Sequence, residues 1–166
     1  MIDKTIGKKK DCMGCHGCAN VCPKKCINMI EDDEGFLYPT VDYNFCINCN
    51  KCVKVCPIIN KVEVDNEPIA YACINNDEAI RLESSSGGVF TLLADKVIDR
   101  GGVVFGATFN GDFEVEHNYV ETKEELWTLR GSKYVQSKIG VTYKQAKEFL
   151  MSGREVLFTG TPCQIA

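Results

Sequence analysis

Two stretches of this 166-residue chain carry thiols at a spacing suited to metal. "CMGCHGCANVCP", residues 12–23, and "CINCNKCVKVCP", residues 46–57, share the form C-x2-C-x2-C-x3-C-P, offset by 34 residues. Cys12, Cys15, Cys18 and Cys22 recur as Cys46, Cys49, Cys52 and Cys56, and Pro23 recurs as Pro57. Eleven cysteines could instead build a secreted disulfide scaffold. Nine of them crowd into residues 12–56, however, and the N-terminus has no charged-then-apolar secretion pattern, so metal ligation is the better reading. Zinc ribbons also use paired C-x2-C, but two runs of four cysteines fit zinc's separated pairs poorly. An iron–sulfur cubane explains the spacing better. Three cysteines two residues apart wrap a loop around one corner of it. The fourth lies past the turn with its thiolate facing away, and the proline stops a helix or strand from continuing.

The doubled run resembles that of bacterial two-cluster ferredoxins. The resemblance implies crossed ligation. Cys12, Cys15 and Cys18 with Cys56 would hold one [4Fe–4S] cluster, and Cys46, Cys49 and Cys52 with Cys22 the other. Cys26 is a ninth cysteine nearby, where ferredoxin-type domains often have a small residue; it reads as a buried substitute. His16 reads as an exposed loop residue, because the cysteines already complete the ligand count. Between the runs, "GFLYPTV" alternates as a short strand, and Glu31–Glu34 reads as a solvated hairpin tip. Lys8–Lys10 reads as a solvated tail.

The elements behind the cysteines change in character. Residues 60–68 are polar and end in proline, which marks a linker. "IAYACI", residues 69–74, is a candidate buried strand, with Cys73 as core. "NNDE", residues 75–78, has the form of a helix start. In "ESSSGGVFTLLADKVIDRGG" a helix follows the glycines, with Val89, Leu92, Leu93, Lys96 and Val97 near one face. Phe90, Ala94 and Ile98 widen its apolar side, and Gly101 and Gly102 end it. "VVFGATF", "NGD" and "FEVEHNYV" read as strand, turn and strand. Thr122 with Glu125, and Thr142 with Gln145, form capping-box patterns for two further helices. "EVLFTG" is a buried strand. The whole reads as an α+β chain: a small dicluster domain (1–59), a linker (60–68), and a partial α/β domain with a mixed sheet (69–166). The final "LFTGTPCQIA" reads as strand, turn and the first residues of a helix, as in a chain cut just after a site.

Three stretches in this second part could carry function. "SSSGGVF", residues 84–90, puts serines and two glycines at a helix start. It is equally an ordinary capped helix or a seat for a phosphate or flavin edge. "RGSKYVQS", residues 130–137, is a non-periodic loop with Arg130 and Lys133. It is either solvated or a holder of an anionic cofactor. "GTPCQIA", residues 160–166, follows a strand, where open α/β sheets place ligands. Cys163 there is a redox thiol, a cluster ligand or a cap-region cysteine.

In this order, behind a dicluster module, "SSGGVFTLLADKVIDRGG", "RGSKYVQS" and "GTPCQIA" resemble the beta subunit family of coenzyme F420 hydrogenases and dehydrogenases. The likeness spans roughly residues 10–166. It implies an oxidoreductase that is an iron–sulfur flavoprotein, with FAD in the α/β domain. That FAD would exchange a hydride with coenzyme F420 or another hydride carrier, while two [4Fe–4S] clusters pass electrons to a redox partner protein or subunit. Carried over by motif, Ser86, Gly87 and Gly88 would lie at the flavin. Arg130, Gly131 and Ser132 would lie near its anionic part, and Thr161, Pro162 and the catalytic Cys163 close to the redox centre.

Composition agrees with this frame. Apolar residues make up 45% of the chain, so a real core is attainable, and the net charge of −4 argues against a nucleic-acid partner. No apolar run approaches the roughly 18 residues of a membrane helix, so the expected location is cytoplasmic. One rival reading is a ferredoxin-like carrier whose second part is a flavin-free docking module. Another is a structural role for the clusters. Flavin content separates the first rival from the flavoprotein, and cluster reduction at a physiological potential tests the second.

Overall fold

The computed structural model describes residues 1–61 and 67–166; most of the expected linker lies outside the described residues. Contacts divide the chain into two compact units, Met1–Val64 with Gly160–Ala166, and Asp65–Thr159. The fold class is α+β.

The first unit is built on the internal repeat. It holds α1 (Ile2–Thr5), α2 (Gly17–Val21), the antiparallel pair β1 (Ile27–Glu31) and β2 (Leu37–Val41), and α3 (Lys51–Lys54). The repeat extends to backbone conformation. Gly14 and Asn48 are both left-handed (φ 58° and 55°), as are His16 and Asn50 (φ 61° and 56°), each pair leading into a short helix. These reversals curl each three-cysteine loop and turn its sulfurs inward. Pro39 pairs with Met29 inside β2, which a two-stranded ribbon tolerates because one side of each strand is free. Ile2, Ile27 and Val41 pack with Cys18, Cys26, Cys52 and Cys56 into one small core, so the thiols are themselves core residues. Lys9 is not free in a solvated tail. Its ammonium lies 2.7 Å from Asp32 in the β1–β2 turn and over the Tyr38 ring. That partner raises the Lys9 pKa and lowers that of Asp32.

The second unit holds α4 (Glu78–Leu82), α5 (Val89–Ile98), β3 (Val103–Phe109), β4 (Val115–Val120), α6 (Thr142–Met151) and β5 (Val156–Phe158). Its sheet has the order β4-β3-β5, antiparallel then parallel, and so is mixed. Val103, Val104 and Phe105 at the start of central β3 are fully buried. Burial on both faces is why that run is continuously apolar instead of alternating. Val104 faces Ala94 and Val97 of α5, with Leu126 and Leu129. Val103 and Phe105 face Ala146 of α6, and Phe105 lies among Tyr119, Phe149 and Phe158 at ring separations of 5.3–6.1 Å. A last turn, α7 (Pro162–Ile165), groups with the first unit.

Several expectations need correction. "IAYACI" forms no strand: Ile69, Tyr71 and Ile74 are exposed, and so is Cys73. The segment has apolar side chains but no strand to pair with among the described residues, and a lone strand leaves its backbone groups to water. In α5 the buried residues are Thr91, Ala94 and Val97, while Leu92 and Leu93 are about half exposed. A ten-residue helix that is apolar nearly all round leaves its core face for the sheet to choose. The cap of α4 is Asp77, whose Oδ1 accepts from the N–H groups of Ala79 and Ile80; Asn75 is buried just upstream. Thr122 does bond Glu125, but only a 3-10 turn, Leu126–Thr128, follows. Thr142 is inside α6 and donates to the Ile139 carbonyl at 2.8 Å, so no capping box forms there.

Gly102 sits where α5 turns into the sheet. A Cβ on it would lie 2.5 Å from Val97 Cγ1, 2.7 Å from the Val97 carbonyl and 2.8 Å from the Glu155 carbonyl. Both carbonyls are held by backbone hydrogen bonds, from Gly102 and Val103 respectively. Gly102→Ala should therefore cost about 1–3 kcal/mol through forced backbone shifts, read as a lower denaturant midpoint at unchanged slope.

Candidate functional site

Four cysteines, Cys12, Cys15, Cys18 and Cys56, line one hollow of the first unit, with His16 beside them. Cys22, Cys46, Cys49 and Cys52 line a second, together with Cys26. Each hollow thus joins three thiols from one run to the last thiol of the other. The thiols surround the hollows and do not converge as ligands of a single ion would, among the described residues. His16 is buried, not exposed, because its left-handed backbone at the start of α2 turns the ring into the first hollow.

Burial governs the thiols. It raises the pKa of Cys12 and Cys15, and carries Cys18 up to about 12. Metal loading must therefore displace protons from this pocket. At Cys22 burial also acts upward, but the backbone N–H of Cys26, the Cys26 side chain, and the N–H groups of Lys24 and Lys25 outweigh it and hold the thiol down. Burial and the Cys22 contact push Cys26 to about 11. Cys163 is half-buried in α7. Its thiol lies 3.2 Å from Thr161 Oγ1 and near enough to Cys12 and Cys15 to act on them electrostatically. Thr161 caps α7: its N–H donates to Gln164 Oε1 at 2.8 Å, and Pro162 opens the turn.

A third hollow, of about 210 Å³, lies in the second unit. Ser86, Gly87, Gly88, Arg130 and Gly131 line it, and Cys73 borders it. Gly88 is left-handed (φ 73°) at the cap of α5 and, being glycine, offers no side chain to cap the first-turn N–H groups. Asn75 fixes the glycine loop. Its N–H donates to the Gly87 carbonyl at 2.6 Å, and its Nδ2 to the Gly88 carbonyl at 3.4 Å. Ser132 N–H donates to Ser85 Oγ at 3.1 Å, which ties the two loops together. Arg130 is paired with Glu83, and its side chain is mostly buried. Its Nε is buried without a hydrogen-bond partner among the described residues. Such a donor is costly unless something accepts from it.

His117 on β4 is a residue the sequence reading missed. It is buried, and its ring stacks on Phe158. Nε2 is 3.0 Å from the Thr159 carbonyl, which only accepts, so Nε2 carries the proton. Nδ1 then accepts from Ser137 Oγ at 2.9 Å. The ring thus joins β4, the end of the "RGSKYVQS" loop and the exit of β5. Burial lowers the His117 pKa. The unfolded chain takes up this proton near pH 6.5 and the folded chain only at lower pH, so stability falls with acidification from that point. His117→Gln should flatten this slope, and the gap between the two proteins in denaturant midpoint should narrow toward pH 5. Equal slopes would remove the histidine from this role.

Comparison with known proteins gives two family matches. Residues 11–59 match the 4Fe-4S dicluster domain, and residues 70–141 match the N-terminal domain of the coenzyme F420 hydrogenase/dehydrogenase beta subunit. A polyferredoxin-like protein of Methanocaldococcus jannaschii is 35% identical over 67 residues, which is 36% of this chain and 39% of that protein. A ferredoxin of the same organism is 35% identical over 57 residues, 34% of this chain and 73% of its own length. NADH-quinone oxidoreductase subunit I 2 of Geobacter metallireducens is 38% identical over 60 residues, 33% and 46% of the two chains. The chain thus spans less than half of two of these three relatives. No helix among the described residues is long and apolar enough to cross a membrane. An iron–sulfur dicluster domain thus stands in front of a domain that matches the N-terminal part of the coenzyme F420 hydrogenase/dehydrogenase beta subunit, an arrangement of the iron–sulfur oxidoreductase type.

Proposed function

We propose that this chain is an electron-transferring oxidoreductase subunit in which two [4Fe–4S] clusters exchange electrons with a flavin held by the second unit. The observation that carries the flavin is the third hollow. Two loops distant in sequence meet there, one with bare glycine backbone at a helix start and the other with a buried arginine Nε that has no acceptor among the described residues. Both features suit the phosphate or another anionic part of a nucleotide cofactor. The hollow's 210 Å³ is less than the roughly 300–1,000 Å³ of a complete small-molecule site. It would therefore take one end of FAD and not the whole.

Cys12, Cys15, Cys18 and Cys56 would hold one cluster, and Cys22, Cys46, Cys49 and Cys52 the other; each set lines its own hollow. Flavin, when bound, converts between two-electron hydride traffic and the single-electron traffic of clusters. Ser86, Gly87 and Gly88 would lie against it, and Arg130, Gly131 and Ser132 would bind its anionic part. Thr161 and Pro162 would set the position of Cys163. A deazaflavin of the F420 type is the hydride carrier that the family description suggests, and a second subunit or redox protein would exchange electrons with the clusters.

Iron, sulfide and flavin content of the anaerobically purified protein tests this reading. About eight irons and one FAD per chain support it. About eight irons without flavin would leave a ferredoxin-like carrier with a docking unit. For Cys163, the expected result of Cys163→Ser is altered redox behaviour with little change in the denaturant midpoint. Unchanged turnover would return it to a cap-region cysteine.

A further inference from the structure

The two halves of the first unit repeat each other closely enough to serve as each other's control, and they differ at one place beside a cluster pocket. Residue 26 and residue 60 stand four positions after the last cysteine of each run. In the second half this is Asn60, whose Nδ2 donates to the carbonyls of Val53, Lys54 and Cys56 at 2.6, 3.2 and 3.2 Å. It is a backbone cap and does not line the neighbouring hollow. In the first half it is Cys26, buried, with its sulfur 3.5 Å from that of Cys22. Cys26 also lines the second hollow with Cys22, Cys46, Cys49 and Cys52. That hollow therefore has five thiols, whereas the first is lined by four.

A cubane takes four thiolates, so one of the five is surplus. We infer that Cys26 is a reserve ligand of the second cluster, placed to take the corner that Cys22 holds. The inference rests on the dicluster assignment proposed above. The two sulfurs are in contact and both residues line the second hollow, and a short turn joins them, with Lys25 N–H donating to the Cys22 carbonyl at 3.2 Å. Exchange between them needs a small local shift and no change in the rest of the unit. In a chain without the Cys22 sulfur, Cys26 loses its proton to solvent and forms the sulfur–iron bond that Cys22 would have made. One thiolate replaces one thiolate, and the cluster's charge and electron count stay the same. No fifth thiol lines the first hollow, and Asn60 stands at the position that repeats Cys26.

The test is iron and labile sulfide per chain, with the low-temperature EPR of the dithionite-reduced protein, on anaerobically purified full-length variants. Wild type and Cys26→Ala should both hold about eight irons. Cys22→Ala should also hold about eight, with a shifted EPR signal for one cluster. Cys22→Ala/Cys26→Ala should lose about four. The repeat-related control is Cys56→Ala combined with Cys163→Ser, since the Cys163 thiol lies within electrostatic reach of Cys12 and Cys15. It should lose about four irons outright. The inference is overturned if Cys22→Ala already loses its four, or if the double variant or the control keeps all eight. Should Cys22→Ala fail to accumulate, Cys22→Ser with and without Cys26→Ala decides the same point: iron kept only when Cys26 is present supports the inference, and the same iron in both overturns it. A wild type without clusters would sink the dicluster assignment first, and this inference with it.

Discussion

Cys49→Ala is expected to leave the chain with about four of eight irons and without electron transfer, while the second unit stays folded. Cys49 lines the second hollow and is the exposed member of its set. Its removal opens a corner of the cluster to water. Cys26 is not placed to repair that loss, since its sulfur neighbours are Cys22 and Cys46. The first hollow has its own four thiols and should keep its cluster. The Val103, Val104 and Phe105 core belongs to the other contact unit and does not depend on the cysteines. Iron analysis with a denaturant titration checks both halves of this expectation. A Cys49→Ala protein that still holds about eight irons would show the ligand assignment to be wrong.

Gly87→Ala is expected to abolish flavin retention, lowering affinity by at least about 100-fold, equivalent to roughly 2.7 kcal/mol. A Cβ on Gly87 would overlap the Cys73 carbonyl oxygen, a backbone atom that cannot swing aside. Relief requires the 84–88 loop to part from residues 73–75. That breaks the 2.6 Å bond from Asn75 N–H to the Gly87 carbonyl and moves Gly88 at the mouth of α5. The loop that faces Arg130 is then displaced, and the hollow changes shape. Flavin content after gel filtration, with iron content as an internal standard, gives the readout. Full flavin content together with full iron content would remove the 84–88 loop from the cofactor site. Loss of both would indicate general misfolding, which the denaturant midpoint would register separately.

These two residues also differ in how far the sequence disclosed them. Cys49 was legible because its signal is local and periodic: the repeat carries residue type and spacing, while the left-handed backbone at Asn48 and Asn50 came only with the structure. Gly87 was legible as a glycine before a helix, but its neighbour was not. Cys73 reads as core within an apolar run, and the structure leaves it exposed beside the loop. An apolar run says only that burial is favourable. Whether burial happens depends on a partner strand, which for residues 69–74 is missing among the described residues. His117 left no signal at all in the sequence, since a histidine in an alternating strand looks like any polar residue until Ser137 and Thr159 arrive beside it.

The sequence by itself determined the metal-binding chemistry, the doubled cysteine frame, the strands β3 to β5 and the helices α5 and α6. Each of these rests on patterns within a few residues, where backbone sterics and periodic burial act directly. Tertiary structure alone decided which face of α5 is buried, that Arg130 faces the Ser86–Gly88 loop, that His117 joins three segments, and that Cys26 touches Cys22 beside one thiol-lined hollow while Asn60 caps backbone near the other. Those contacts depend on how the chain closes long loops, and closure is driven by burial that many side-chain arrangements satisfy about equally. Only the packed structure selects one of them.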